Sequence, residues 1–199
     1  MNMVAALILA AGESKRMAKP KALLRIGQET FAESIARKCR ECGIEAVYVV
    51  AGPHYEQLRK ELLGKHRMEL ILNLRYREGQ LSSLKEGLRS LPTNSTEALV
   101  WPVDQPLVKA ETVKKMLEIS RSERKHVTIP VYQGRRGHPV IYDVVAIQTL
   151  LSLRSHQTAK EIQAIYATGT SLLEVDDPAV LVDIDTPKDY QQHIKGSGL

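Results

Sequence analysis

The chain has 199 residues, of which 43% are apolar and 26% are charged, a composition typical of a globular protein. Its net charge of +5 favours anionic ligands, but a single Trp and a single Phe offer little base-stacking surface for nucleic acid. No apolar run is long enough to span a bilayer, and no Lys or Arg precedes the apolar stretch near the N-terminus. We therefore expect a cytoplasmic protein that binds neither nucleic acid nor membrane.

Apolar strand patterns alternate with amphipathic helix patterns along the chain. The predicted strands cover residues 3–10, 46–51, 69–72, 98–103, 126–131, 138–142, 171–175 and 180–184. The predicted helices cover residues 30–42, 54–63, 82–91, 109–121, 143–153, 158–166 and 187–194. Loops are predicted at residues 73–81, 92–96 and 134–137.

Repeated β-α units of this kind predict an α/β fold with a mostly parallel, doubly wound sheet between two layers of helices. The turn DDPA (176–179) separates the last two predicted strands, and this hairpin predicts a small antiparallel addition. Because no long linker interrupts the pattern, residues 1–195 are expected to form a single domain, with a disordered tail at residues 196–199. Ligands of such sheets bind at the carboxyl ends of the strands.

The two cysteines, Cys39 and Cys42, have the spacing C-x-x-C. A structural zinc site needs four ligands, and a thioredoxin-like redox pair stands at a helix N-terminus. Here the pair lies near the end of a predicted helix, just before Gly43. We interpret the spacing as incidental.

The segment A-A-G-E-S-K-R follows the first predicted strand and matches neither the dinucleotide-binding fingerprint nor the P-loop. The small residues Ala10–Gly12 nevertheless allow backbone N–H groups to approach an anion. Ser14 adds a hydroxyl, and Arg16 and Lys21 add positive charge. The alternative is a solvated basic loop, but its position after a buried strand favours a phosphate site.

The end of the third predicted strand also carries polar residues. Asn73 is followed by Gly79 and then by Ser82 and Ser83, which open a predicted helix. Free N–H groups and hydroxyls at a helix start suit a base or a ribose. Ser82 acting only as a helix cap explains the pattern equally well.

Two acids follow later strands. Asp104 ends the fourth strand, and Asp185 follows the last one. Mg²⁺ takes one or two protein carboxylates and keeps several waters, so this pair predicts a magnesium site. The alternatives are a turn-forming Asp104 and a helix start, in which Thr186 is the cap, Pro187 the first helical residue and Asp189 the third. That helix start leaves Asp185 unexplained.

His138 follows the cations Arg135 and Arg136 and stands between Gly137 and Pro139. A lone histidine is most often a hydrogen-bonded structural residue. Neither a Ser-His-Asp arrangement nor an H-E-x-x-H motif can be identified in the sequence.

Together these motifs resemble the MobA-like NTP transferases, and specifically the molybdenum cofactor cytidylyltransferase branch. The blocks that carry the resemblance are L-A-A-G-x-S-x-R-M with Lys21, N-x5-G-x2-SS (73–83), V-D-Q-P (103–106), G-H-P-V (137–140) and D-I-D-T-P-x-D (183–189). One departure is Ala18, where the family usually has Gly, at a position where positive φ is easy only for Gly.

The resemblance implies a Rossmann-like nucleotidyltransferase fold and Mg²⁺-dependent transfer of a nucleotide to a phosphorylated acceptor. It implies catalytic roles for Arg16, Lys21 and Asp104, and a metal site at Asp104 and Asp185. The implied nucleotide-binding residues are Leu9, Ala10, Ala11, Gly12, Ser14, Arg16, Lys21, Asn73, Gly79, Ser83 and Asp104. The implied acceptor-binding residues are Gln105, Arg136, Gly137 and His138.

Within the family, the sequence L-A-A-G favours CTP, because guanylyl relatives more often have G-G. The acceptor is then a phosphorylated pterin, the molybdopterin form of the molybdenum cofactor, and a molybdenum hydroxylase is a possible partner downstream. Two alternatives remain open at this stage. One is a nucleotidyltransferase for a sugar phosphate or an isoprenoid intermediate, and the other is a non-catalytic molybdenum cofactor carrier.

Overall fold

The computed structural model describes residues 3–62, 64–154 and 157–195 of the chain. Within these residues the strands are β1 (Met3–Ala10), β2 (Arg25–Ile26), β3 (Glu29–Thr30), β4 (Ala46–Ala51), β5 (Met68–Leu72), β6 (Ser95–Pro102), β7 (Val127–Tyr132), β8 (Arg135–Arg136), β9 (Val140–Asp143) and β10 (Thr170–Glu174). The α-helices are α1 (Phe31–Glu41), α2 (Tyr55–Leu62), α3 (Gln80–Arg89), α4 (Ala110–Glu123), α5 (Val144–Ser152), α6 (Glu161–Ile165) and α7 (Pro187–Tyr190). The predicted tail, residues 196–199, and the last residue of the predicted helix 54–63 lie outside the described residues.

The main sheet has the strand order β10-β7-β9-β6-β1-β4-β5, with β8 attached to β7. β1 lies between β4 and β6 and is parallel to both, and β5 and β10 are also parallel to their neighbours. Each face of the sheet carries a separate apolar core: Ile8 packs with Phe31 and Trp101 on one face, and Leu7 packs with Leu84 on the other. The prediction of a mostly parallel, doubly wound sheet is therefore confirmed.

The antiparallel addition exists, but the predicted hairpin does not form it. β9 is inserted between β6 and β7 and is antiparallel to both, whereas β10 is parallel to β7. The strand predicted at residues 180–184 is wrong, since Pro178–Leu181 forms a 3₁₀ helix. The physical reason is the Asp177 side chain, which accepts from Ala179 N and starts a helical turn at Pro178.

Two predicted loops contain strand residues. β6 begins at Ser95 rather than at residue 98, because its pairing with β1 extends to Ser95 and its pairing with β9 extends to Glu97. In the predicted loop 134–137, Arg135 and Arg136 form β8, which folds back on β7. Gln133 and Gly134 both have positive φ, as a two-residue hairpin turn that follows strand twist requires.

Helix α1 begins with a capping box, in which Thr30 and Glu33 satisfy each other's backbone N–H groups. Near its end, Cys39 is buried in the core, and Cys42 Sγ is 3.4 Å from the Ala110 carbonyl oxygen. Burial raises the pKa of Cys42 to about 11, so the thiol stays protonated at neutral pH. The interpretation of C-x-x-C as incidental agrees with this inert environment.

None of the helices in the described part of the chain is both long enough and apolar enough to cross a lipid bilayer.

Candidate active site

A cleft of about 550 Å³ opens at the carboxyl ends of β1 and β6, in the central part of the sheet. Its walls come from the end of β1 and the loop that follows it, from the start of α3, from the end of β6, and from the loop before α7. The lining residues are Leu9, Ala10, Ala11, Gly12, Glu13, Ser14, Lys15, Arg16, Lys21, Tyr76, Gly79, Gln80, Ser83, Pro102, Val103, Asp104 and Asp185. The cleft therefore contains most of the predicted nucleotide residues and both predicted metal ligands.

The loop after β1 is held in a tight, partly strained conformation. Ser14 and Ala18 both have left-handed backbones, with φ of 51° and 54°. Ser14 Oγ accepts from Lys21 N at 3.1 Å, and Ser14 O accepts from Met17 N at 2.9 Å. The positive φ expected at Ala18 is confirmed, and the loop curls so that Lys21 faces back into the cleft.

Lys21 joins the two acids. Its Nζ donates to Asp104 Oδ2 at 2.8 Å and also to Asp185 Oδ1. The three side chains are 15%, 26% and 35% exposed, so the cluster is half-buried but still reached by solvent. The sequence predicted a role for each residue separately, and the structure brings all three together.

The contacts within this cluster shift the pKa values of Lys21 and Asp185 in opposite directions. Burial by itself lowers the pKa of Lys21, but the charges and hydrogen bonds of Asp104 and Asp185 outweigh it and raise the pKa above its usual value. The hydrogen bond from Lys21 is the main cause of a lowered pKa at Asp185, and Arg16 adds to it. Lys21 and Asp185 therefore both carry their charges at neutral pH.

The other cations of the loop are more exposed. Arg16 donates to Asp185 Oδ2 at 2.9 Å, although its side chain remains 65% exposed. Lys15 is paired with Glu13 at 2.5 Å on the rim of the cleft and is 80% exposed. Arg16 is thus already directed at the acid pair, whereas Lys15 faces solvent, as the solvated-loop alternative predicts.

Backbone contacts fix the distance between the two acidic loops. Asp104 O accepts from Ile184 N at 2.8 Å, which joins the end of β6 to the last loop. Asp189 Oδ2 accepts from both Asp185 N and Thr186 N, in a capping box at the start of α7. The helix start predicted for Thr186 and Asp189 is therefore present, and it also positions Asp185.

The Asp104 and Asp185 carboxylates, which both contact the same ammonium group, suit a magnesium ion. The described residues contain no cluster of three or more His, Cys, Asp or Glu side chains that could hold a metal. Mg²⁺ needs only one or two protein carboxylates, because water and substrate phosphates complete its shell. Since a cation, Lys21 Nζ, already bridges Asp104 and Asp185, the pair fits a hard cation with oxygen ligands.

Asn73 lies behind the wall of the cleft. It is 1% exposed, and its Nδ2 donates to Ser82 Oγ and Ser83 Oγ, each at 3.0 Å. Ser83 and Gly79 line the cleft, whereas Asn73 and Ser82 do not belong to its lining residues. The geometry therefore supports an indirect role for Asn73, which fixes the start of α3 through the two serines.

Two of the predicted acceptor residues, Gln105 and His138, lie near Asp104, although neither lines the cleft. Gln105 is 4% exposed; its Nε2 donates to Asp183 Oδ1 at 2.7 Å, and its buried Oε1 has no hydrogen-bond partner among the described residues. Burial lowers the pKa of His138, and the nearby charges of Asp183 and Asp104 oppose that change only in part. A neutral imidazole and a buried amide thus stand close to the acid pair.

Gly137 has a packing role that the sequence did not reveal. A Cβ at this position would overlap the Val180 carbonyl oxygen, and the next residue, His138, donates its N–H to that same oxygen at 3.0 Å. The His138–Pro139 peptide bond is cis. Arg136 lies in β8 on the exposed side of this turn. Gly137 therefore sets the approach of the segment to Val180, whatever its role toward an acceptor.

Sequence reasoning missed the residues that support the site from behind. Lys38 in α1 donates from Nζ to the carbonyls of Pro106 and Val108, at 2.5 and 2.8 Å. Asp177, 1% exposed, accepts from Lys109 N at 2.9 Å and from Thr112 Oγ1 at 2.7 Å. Both residues hold the segment that follows Asp104. The sequence signal for Asp177 is Asp-Pro at residues 177–178, which predicts only a turn.

Comparison with known proteins supports the resemblance to the MobA-like NTP transferases. A family model for the MobA-like NTP transferase domain matches residues 6–172. The molybdenum cofactor cytidylyltransferase of Escherichia coli (strain K12) is 22% identical over 191 residues, which cover 96% of this chain and 95% of that protein. A probable molybdenum cofactor guanylyltransferase of Bacillus mycoides (strain KBAB4) is 26% identical over 138 residues, which cover 68% of this chain and 66% of that protein.

The fold is also shared with solved structures. The crystal structure of Rv0371c from Mycobacterium tuberculosis H37Rv has a TM-score of 0.82 at 20% identity, covering 98% of this chain and 99% of that one. A complex of Rv0371c with manganese has a TM-score of 0.76 at 21% identity, covering 98% of each chain. The predicted Rossmann-like nucleotidyltransferase fold is therefore confirmed. Since the family model covers most of the sequence, the chain belongs to the MobA-like NTP transferase family and is a nucleotidyltransferase.

Proposed function

We propose that this protein transfers CMP from CTP to the molybdopterin form of the molybdenum cofactor, in a Mg²⁺-dependent reaction that releases pyrophosphate. The observation that carries the proposal is the meeting of Lys21, Asp104 and Asp185 in a cleft that is also lined by the small residues after β1. Cations and paired carboxylates beside small residues are what a metal-bound triphosphate requires. The manganese complex of Rv0371c is consistent with a divalent ion in this fold.

In the proposed reaction, an oxygen of the acceptor phosphate forms a bond to the α-phosphorus of the nucleotide. The bond from that phosphorus to the α-β bridging oxygen breaks, and pyrophosphate leaves with the electron pair. The acceptor is already anionic, so this chain need not supply a strong base. Arg16 and Lys21 bind the phosphates, and their charges offset the charge that develops as the bond breaks. Such positioning supplies much of the rate enhancement.

Asp104 and Asp185 would hold the magnesium ion. When bound, the ion neutralises phosphate charge and polarises the phosphoryl oxygens. The capping box at Thr186 and Asp189 keeps Asp185 in place, and the backbone bond between Asp104 and Ile184 keeps the two acids together. Ordered support of this kind reduces the reorganisation needed during the reaction.

The proposed cleft divides into two sides. Ala10–Gly12 and the start of α3 at Gly79 and Ser83 would contact the nucleotide, and Asn73 would hold that helix start through the serines. Gln105, Arg136, Gly137 and His138 would form the acceptor side. The neutral His138 ring suits hydrogen bonding to an N–H or carbonyl group of a pterin, and Gln105 would support this side through its hydrogen bond to Asp183.

CTP and the pterin acceptor are the finer parts of the proposal. They are supported by L-A-A-G at residues 9–12 and by the match to the Escherichia coli cytidylyltransferase over nearly the whole chain. We also propose that residues 1–195 act as one domain in the cytoplasm, with a molybdenum hydroxylase as the downstream partner. No observation in the described residues favours a different acceptor.

A turnover assay tests the proposal. The protein is incubated with Mg²⁺, one of the four NTPs and molybdenum cofactor, and both pyrophosphate and the pterin dinucleotide are measured. CTP-specific formation of both products is the expected result. Tight cofactor binding without pyrophosphate would instead identify a carrier, and turnover only with a sugar phosphate or an isoprenoid phosphate would replace the acceptor. GTP-specific turnover would overturn the nucleotide assignment alone.

A further inference from the structure

We propose that Lys21 is a placeholder for the metal ion: before nucleotide binds, its ammonium group occupies the position between Asp104 and Asp185 and keeps divalent metal out. The nucleotide then draws Lys21 onto its phosphates, and the metal enters together with the nucleotide. This inference rests on the proposed function, because it assigns the metal and the triphosphate to this cleft. It adds that Lys21 leaves the acids before the metal binds both of them, and that Lys21 has two sets of partners, the acids and then the phosphates.

The first step of the argument is the balance of charge. Lys21 Nζ contacts both carboxylates, and Arg16 contacts Asp185 from the other side at 2.9 Å. Two cations therefore cancel the two carboxylates. An acid pair attracts Mg²⁺ through its net negative charge, which this arrangement removes.

The second step is occupancy. Lys21 is the side chain that touches both acids, and it is only 15% exposed, whereas Arg16 touches Asp185 alone and is 65% exposed. An ion coordinated by Asp104 and Asp185 together needs the place that the ammonium group fills. The lysine must therefore move before the metal binds both acids.

The third step is that this movement is possible. Ser14 Oγ holds the backbone N of Lys21, so the loop can stay in place while the flexible four-carbon side chain swings. Lys21 and both acids line an open cleft, so phosphate oxygens can reach the ammonium group directly. A triphosphate offers Lys21 several negative charges in place of the two carboxylates. The incoming metal then neutralises the charges of Asp104 and Asp185.

Equilibrium dialysis with Mn²⁺ tests the inference without measuring turnover. Manganese retention is compared for the natural chain, Lys21→Met, Lys21→Gln and Lys19→Met, first without nucleotide and then with CTP at equal free concentration on both sides of the membrane. Lys19 is the matched control because it is an exposed lysine of the same loop. Without nucleotide we expect both Lys21 variants to bind Mn²⁺ at least 10-fold more tightly than the natural chain, and Lys19→Met to match the natural chain. CTP should raise retention by the natural chain at least 10-fold.

A second control separates position from charge. Arg16→Met removes one positive charge near Asp185 but leaves Lys21 between the acids, so its gain in Mn²⁺ affinity should be clearly smaller than that of Lys21→Met. An equal gain would overturn the placeholder role. So would Mn²⁺ binding by the natural chain that is as tight without CTP as with it, or Lys21 variants that bind no tighter than Lys19→Met.

The two proposals fail separately. If no nucleotide is transferred to any acceptor, but both Lys21 variants gain Mn²⁺ affinity and CTP raises Mn²⁺ retention by the natural chain, the proposed transfer is wrong and the placeholder role stands. If CMP is transferred but removal of Lys21 leaves Mn²⁺ affinity unchanged, the placeholder role is wrong and the proposed function stands.

Discussion

Lys21 and Lys38 both contact the segment around Asp104, but their surroundings give them different roles. Lys21 donates to two carboxylates in an open cleft. Lys38 donates to two backbone carbonyls, those of Pro106 and Val108, inside the protein. Both are aliphatic chains ending in an ammonium group, and both connect separate parts of the fold.

The difference lies in whether the partners can be exchanged. The carboxylates around Lys21 are reached by solvent and by any ligand in the cleft, and their charges raise its pKa. Burial lowers the pKa of Lys38 to about 8, with the neighbouring charge of Arg37 as a further cause. A lysine with replaceable partners is suited to binding, whereas one committed to backbone carbonyls stabilises a loop.

The largest effect is expected in the cluster of Lys21, Asp104 and Asp185. Asp104→Asn should lower nucleotide transfer by about 10³-fold, because an amide neither holds the metal as a carboxylate does nor compensates its charge. The melting temperature should change little, since the cluster is half-exposed. Pyrophosphate release and a thermal melt measure the two quantities. Near-normal activity would show that Asp104 does not hold the metal.

The next largest effect is expected at Asp177, which holds the segment after Asp104 from behind. Asp177→Asn should lower the free energy of unfolding by about 3 kcal/mol, because the buried carboxylate accepts from Lys109 N, Thr112 Oγ1 and Ala179 N. The neighbouring exposed Asp176 provides the matched control, Asp176→Asn, which should stay within about 0.5 kcal/mol. Urea unfolding of the two variants measures the contrast. Equal stability of both would remove the assigned support role.

The pH dependence of stability should distinguish the two lysines further. For Lys38 the folded-state pKa of about 8 lies below the unfolded value of 10.5, so between these values the unfolded chain binds more protons. Stability therefore rises with pH in that window, by about 2 kcal/mol between pH 8 and pH 10. Urea unfolding should show this rise in the natural chain relative to Lys38→Met. Parallel pH profiles would contradict the lowered pKa.

The smallest effect tests strain in the loop of Lys21. Ala18 has a φ of 54°, which costs an L-residue about 1–2 kcal/mol, whereas Gly adopts it freely but loses more chain entropy. Ala18→Gly should therefore stabilise the protein by about 0.5 kcal/mol, as measured by the shift in its urea midpoint. Ala22→Gly, in the buried 3₁₀ turn that follows, should destabilise it instead. A loss of stability in Ala18→Gly would show that the left-handed alanine is not strained.

Much of the site was predictable because most of its motifs follow strands. Asp104, Asp185, Arg16 and Lys21 stand just beyond strand ends or in the last loop, and the carboxyl ends of parallel strands meet at one edge of the sheet. The expectation of a positive φ at Ala18 came from the family resemblance, because relatives usually have Gly at that position. Roles that depend on partners distant in sequence, such as those of Lys38 and Asp177, could not be predicted this way.

The wrong strand prediction has the same origin. Residues 180–184 look like a strand because they are apolar, but a strand also needs a neighbour with free hydrogen-bonding groups. Asp177 instead starts a 3₁₀ helix, and β9 takes the antiparallel position between β6 and β7. The hydrogen bonds from the Asn73 amide to Ser82 Oγ and Ser83 Oγ likewise depend on packing between a strand end and a helix start.

By itself, the sequence determined the alternation of strands and helices, the parallel sheet, the family and the types of residue at the strand ends. Those features depend on local periodicity and on short motifs, which a linear chain displays directly. The tertiary structure alone decided that Lys21 bridges both acids, that Asn73 supports rather than lines the cleft, and that Lys38 and Asp177 hold the segment after Asp104. These are contacts between distant residues, and only packing determines which side chain meets which.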